Sequence, residues 1–146
     1  MKERLLAFIK QGLSPEKLAL CVALGVVIGV FPALGTTTLL CALAALALRL
    51  NLAAIQSVNY VVYPLQFLAL IPFYRLGEWL FRAPHLAITG AGVKDIIRSG
   101  MLNAIHVLWD TTMHAIAAWC LLAPVAIGAL YFLLTPIFRR LARQTA

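Results

Sequence analysis

The sequence predicts an all-α polytopic membrane fold built around a broken, re-entrant helical hairpin. Three observations carry that reading. Of the 146 residues, 63% are apolar and only 12% are charged, against about 45–50% and 25% in ordinary globular chains. Three stretches are free of charge altogether, Leu18–Leu48, Asn51–Tyr74 and Thr111–Phe138, and uncharged runs of about 18 residues or more are long enough for a bilayer. The first run also has an awkward length and carries its helix breakers in the middle. This composition excludes a soluble enzyme, a disordered tail and a disulfide-rich secreted domain, and no linker or shift in composition divides the chain 1–146 into two domains.

Residues 1–13 read as a basic amphipathic helix, with Leu5, Leu6, Phe8 and Ile9 toward lipid and Lys2, Arg4 and Lys10 toward headgroups. The next apolar run is too long for a signal-peptide core, so the segment is expected to stay with the chain. Ser14-Pro15-Glu16 starts a new helix, with a serine cap, proline at the first helical position and an acid in the first turn.

Leu18–Leu48 has 31 residues. One straight helix of that length is about 46 Å long, against a hydrocarbon core of about 30 Å, and two full spans need about 40 residues. Gly25, Gly29, Pro32 and Gly35 stand in the middle as breakers, with Thr36, Thr37 and Thr38 directly after them. The simplest solution is a hairpin over 14–49: one half-helix in to about Val30, a turn at Phe31–Gly35, and a second half-helix back to Arg49. A single kinked span and a tight pair of short crossings are the alternatives. Irregular backbone at membrane depth needs cover, from later segments or from a second subunit. So few other segments are available that a homo-oligomer is expected.

Residues 50–82 form the next membrane segment, polar for its place at Asn51, Gln56, Ser57, Asn59 and Gln66 and interrupted by Pro64 and Pro72. Val62-Tyr63-Pro64 echoes Val30-Phe31-Pro32 at an offset of 32, either as a paired break from an internal repeat or by coincidence. A second hairpin at Pro64 is therefore open. Trp79 and Phe81 read as headgroup-level anchors near its end. A loop over 87–92 leads to an amphipathic helix over 93–109, with Ile96, Ile97, Met101, Ile105 and Leu108 as its stripe. A transmembrane helix over 111–138 comes last, kinked at Pro124, with Gly128 placed for a close helix contact, and Arg139 and Arg140 stop it.

The net charge of +7 sits mainly at the two ends of the apolar chain. That is the positive-inside pattern and a means of attracting anionic lipid headgroups; nucleic acid is not expected, because no basic stripe is interleaved with aromatics. Both termini are placed in the cytoplasm. Arg75, Arg82, Lys94 and Arg98 then lie on the side the rule disfavours. Cys21, Cys41 and Cys120 read as small apolar residues. His106, Asp110 and His114 climb about 12 Å along a helix, too far to share one ion. No metal, cofactor or catalytic group is expected.

The best candidate site is the hairpin tip. Phe31, Pro32, Gly35, Thr36, Thr37 and Thr38 surround the start of the second half-helix, whose first amides and positive dipole end favour an anion such as a phosphate. The bland alternative is a mere kink, with the threonines bonded to carbonyls of the preceding turn. Asn59, Pro64 and Gln66 are candidate lining residues of the same site. Asn59 and Gln66, with Gln56, serve equally well as ordinary interhelical hydrogen bonds.

The pattern Ser14-Pro15-Glu16-Lys17, Ala23-Leu24-Gly25, Gly29, Phe31-Pro32, Gly35, Thr38-Leu39-Leu40 and Arg49-Leu50-Asn51 resembles the bacterial membrane family termed domain of unknown function 2062. The resemblance is strongest over residues 12–77. Tyr63-Pro64-Leu65-Gln66 stands where that family often has Asn-Pro-Leu-Thr, and Cys21 where it often has glycine. The resemblance implies an integral inner-membrane protein, sometimes associated with envelope sugar or lipid metabolism. A Pro/Gly tip on a re-entrant hairpin is also similar in architecture to DedA-type membrane proteins. The functional expectation is binding and translocation of an anionic lipid or polyprenyl-phosphate headgroup; a non-transporting scaffold for envelope glycan or lipid assembly enzymes is the alternative.

Overall fold

The computed structural model describes residues 14–84, 98 and 100–145. The amphipathic helix expected over 1–13, the 87–92 loop and most of 93–100 lie outside the described residues. The described chain is all-α, with four helices: α1, Pro15–Gly29; α2, Thr37–Ala47; α3, Leu52–Phe81; and α4, Met101–Thr145.

α1 is the central helix and packs against each of the other three. Residues all around it are buried, among them Leu18, Ala19, Cys21, Ala23, Leu24, Val27 and Ile28, as expected of a helix that is apolar on every face. It starts as the sequence predicts. The amide of Lys17 donates to Ser14 Oγ at 3.3 Å, and Pro15 and Glu16 occupy the first turn.

The chain breaks between Gly29 and Thr37 and doubles back. Cys21 Sγ lies 3.9 Å from the Asn51 carbonyl, so the end of the α2 segment returns to the first half of α1. Gly25 and Gly29 do not contribute to the break; both lie inside α1. A Cβ on Gly25 would meet Val58 Cβ at 2.7 Å and the Ile55 carbonyl at 2.9 Å, and one on Gly29 would meet Val62 Cγ1 at 3.1 Å. They are the small surface that lets α3 approach closely, a small-xxx-small contact.

α3 decides between alternatives that the sequence left open. Pro64 and Pro72 lie within one continuous 30-residue helix, so there is no hairpin at Pro64. Its start is capped by Asn51 Oδ1, which accepts from the Ala54 amide at 2.9 Å. α2 and α3 end alike. Arg49 and Arg82 both adopt φ of 51°, and the next amides reach back to the Ala45 carbonyl at 2.8 Å and the Glu78 carbonyl at 2.9 Å. These are left-handed C-caps in which arginine stands where glycine is usual.

The amphipathic and transmembrane pieces read separately over 93–109 and 111–138 are one helix from Met101 onward, with Pro124 and Pro136 inside it. Thr111 and Thr112 hydroxyls donate to the carbonyls of Val107 and Leu108 at 2.7 Å. The division read at Asp110 is thus absent, because the helix runs straight through it.

Among the described residues, two helices, α3 and α4, are long and apolar enough to cross a membrane, and α2 is a shorter apolar helix. Only 28% of the most apolar stretch of α3 and 11% of that of α4 is buried. The outer faces carry Leu39, Leu43, Leu46, Leu68, Leu121, Val125, Phe132 and Leu133, all more than half exposed. Exposed apolar faces of this kind mark surfaces that meet a membrane or another protein.

Candidate functional site

The site begins with a broken backbone. Phe31 N donates to the Ile28 carbonyl at 2.9 Å, Pro32 is fully buried, and Gly35 takes φ of 81°, a left-handed conformation that glycine adopts without steric cost. The Thr36 hydroxyl donates to the Ala33 carbonyl at 2.9 Å, and α2 starts at Thr37. Leu34, Gly35, Thr36 and Thr38 are exposed, whereas Phe31, Pro32 and Thr37 are buried.

A break frees carbonyls that a continuous helix would have bonded. Side chains from α3 and α4 take them up. Gln66 Nε2 donates to the Phe31 carbonyl at 2.8 Å and to that of Ala33 at 3.4 Å. Gln56 Nε2 adds a bond at 2.8 Å to the Thr38 carbonyl, which lies in the first turn of α2 and not in the break itself. From α4, Trp119 Nε1 donates to the Val27 carbonyl at 3.0 Å, and its ring meets Phe31 edge to face at 4.9 Å.

These bonds fix the orientation of three side-chain amides. Because Thr38 presents a carbonyl, Gln56 turns its NH₂ toward it and its oxygen toward Asn59, whose Nδ2 donates to it at 3.2 Å. Asn59 Oδ1 and Gln66 Oε1 are then left buried with no hydrogen-bond partner. The break therefore presents the amides of the first turn of α2, while the two acceptors without partners lie buried on α3. A buried acceptor without a partner costs about 1–3 kcal/mol.

The structure gathers most of the expected residues. Phe31, Pro32, Gly35, Thr36, Thr37 and Thr38 form the break, and Asn59 and Gln66 face it from α3. Pro64 is exposed and belongs to the outer side of α3. Within one chain the break is covered in part, by Gln66 of α3 and Trp119 of α4, while Leu34, Gly35, Thr36 and Thr38 stay exposed. Of the threonines, Thr36 follows the bland expectation of bonding back to a carbonyl.

A family model described as an uncharacterised protein conserved in bacteria, domain of unknown function 2062, matches residues 1–146. The chain belongs to that family. No curated protein and no solved structure matches it significantly, so the expected DedA-type likeness is not shown. Two features of this member of domain of unknown function 2062 were not foreseen from its sequence. Trp119 was one apolar residue among many; the clue was its position, within a span and away from the ends where tryptophan usually sits, where its N–H needs a partner. Glu78 is the other. It is buried near the end of α3 and paired with Arg75 at 2.9 Å, beside a close crossing at which a Cβ on Gly77 would lie 2.7 Å from the His114 backbone. His114 stacks on Phe81 at 4.6 Å, while His106 and Asp110 are exposed.

Proposed function

We propose that this chain is a multi-pass protein of the bacterial inner membrane. In this reading α3 and α4 cross the bilayer, α1 and α2 enter and return as a re-entrant hairpin, and the break binds an anionic lipid or polyprenyl-phosphate headgroup and passes it between leaflets without catalysis or cofactor. The observation that carries the headgroup assignment is the hydrogen-bond pattern at the break. The carbonyls of Val27, Phe31 and Ala33 at the break all receive donors, so their negative ends are neutralised. What the break has left to offer is the positive end of α2, suited to a phosphate.

The exposed apolar faces of α2, α3 and α4 support immersion in lipid. Arg139 Nε donates to Glu16 Oε1 at 2.7 Å, which brings the start of α1 and the end of α4 to the same end of the molecule. Under the positive-inside rule that end is cytoplasmic. At the opposite end Arg75 is ion-paired with Glu78, which lessens the charge placed against the rule. The exposed leucines of α2 suit either lipid or a second copy in a homo-oligomer.

The test is headgroup translocation in liposomes containing the purified protein. Wild type is expected to move a labelled anionic lipid, and Gly35→Leu, which strains a left-handed turn, to slow it at least tenfold. Liposomes in which no headgroup moves, or in which Gly35→Leu matches wild type, remove the transport reading. A scaffold has its own support, since Gln66 and Trp119 already tie the break down within one chain. One stoichiometric co-purifying partner, together with a tip variant that keeps its cellular function, would favour it.

A further inference from the structure

Away from the break, an open groove of about 360 Å³ runs between the start of α1 and the middle of α4, lined by Glu16, Lys17, Leu20, Ile127, Gly128 and Tyr131. Gly128, expected to permit a close helix contact, does the opposite: nothing stands within 4 Å of where its Cβ would be. The missing side chain leaves a slot in the face of α4.

The groove is apolar along its length and charged at its mouth. Glu16 is neutralised by Arg139, while Lys17 is exposed and has no carboxylate partner among the described residues. Arg140 is also exposed. Beyond the Glu16–Arg139 pair, this end of the molecule thus carries Lys17 and Arg140 as further cations. Arg139 and Gly128 are eleven residues apart on α4, about 16 Å along the axis. The hydrocarbon of one leaflet is half of a core of about 30 Å. With Arg139 at the headgroup level, Gly128 lies near the depth of the bilayer centre, and the volume falls within the usual range of about 300–1,000 Å³ for small-molecule sites.

We infer that this groove holds one acyl chain of an anionic phospholipid from the leaflet that carries the cationic ends of α1 and α4, with its phosphate against Lys17. The inference rests on the membrane reading above but not on transport at the break. Apolar walls select the chain, and the excess of cations selects the head. The site is a resident lipid seat, separate from the Phe31–Thr38 tip.

The intact protein in a mild detergent, titrated with phosphatidylglycerol or phosphatidylcholine of the same chain length and read by native mass spectrometry, tests it. Wild type is expected to retain one phosphatidylglycerol at about tenfold lower lipid concentration than phosphatidylcholine. Gly128→Leu, whose side chain has room, fills the slot and lowers retention of both lipids about tenfold. Lys17→Glu, at an exposed position, keeps the slot and removes the preference between heads. Equal retention of the two lipids by wild type, or retention unchanged in both variants, overturns the proposal. So does a Gly128→Leu variant that loses a dimer mass while keeping its lipid, because the groove is then a contact between copies. Extraction of the protein from membranes by alkaline carbonate would instead sink the membrane reading itself.

Discussion

Val30-Phe31-Pro32 and Val62-Tyr63-Pro64 are nearly the same tripeptide, yet one ends a helix and the other runs through the middle of one. Pro32 is fully buried, and three residues later Gly35 makes a left-handed turn. Pro64 is exposed and precedes Leu65-Gln66-Phe67-Leu68, which propagate a helix. The two segments also face each other: Val62 packs where a Cβ on Gly29 would lie, and Gln66 bonds the Phe31 carbonyl. A proline removes one donor and crowds one carbonyl. Whether that breaks a helix depends on the next few residues and on the side chains that take up the freed groups. Here the unbroken segment supplies the side chains that make the break in the other one tolerable.

Gly25 offers the strongest perturbation of this contrast. Gly25→Leu drives a side chain into Val58 and the Ile55 carbonyl, separates α1 from α3, and is expected to cost about 3 kcal/mol or more, read as a lowered unfolding midpoint in detergent. The two prolines should then respond with opposite signs. Pro64→Ala relieves a helix interior and stabilises by up to about 3 kcal/mol. Pro32→Ala strips buried ring carbons and destabilises by about 1–2 kcal/mol. The same sign for both in unfolding titrations would mean that the two prolines are not distinguished by their surroundings.

Gln66→Leu leaves the Phe31 carbonyl without its donor but also removes the orphaned Gln66 oxygen. The net loss is therefore about 1–2 kcal/mol, with faster hydrogen exchange expected at the start of α2. Gly35→Ala costs about 1 kcal/mol from its positive φ, since the space around it is open; a larger loss would reveal packing at the tip. The smallest effect is electrostatic. The Arg139 guanidinium holds the Glu16 carboxyl below its ordinary value. Its contribution is therefore present above the usual carboxylate range and fades as pH falls through the lowered value. Glu16→Gln should remove that acid-side dependence and little else.

Much of this was legible in one dimension. The all-α class, the cap at Ser14, the break near Pro32–Gly35 and the return by Arg49 came from charge-free run lengths and from glycine and proline chemistry, which act locally and leave marks in order along the chain. The same local logic misjudged Pro64, Gly25, Gly29 and Gly128. A proline or glycine records only what the backbone is permitted to do, and the neighbour that uses the permission lies far away in sequence.

Order along the chain was enough to set the apolar helical segments, the place where the first is cut, and the side chains that carry spare hydrogen-bonding groups, because propensity and hydropathy are properties of short segments. Packing in three dimensions alone settled that Gln66 and Trp119 close the cut, that Asn59 and Gln66 each keep an unmet oxygen, and that Gly128 opens a groove while Gly25 and Gly29 close one. Hydrogen bonds reach about 3 Å, so their partners exist only once α1, α3 and α4 have been brought into contact.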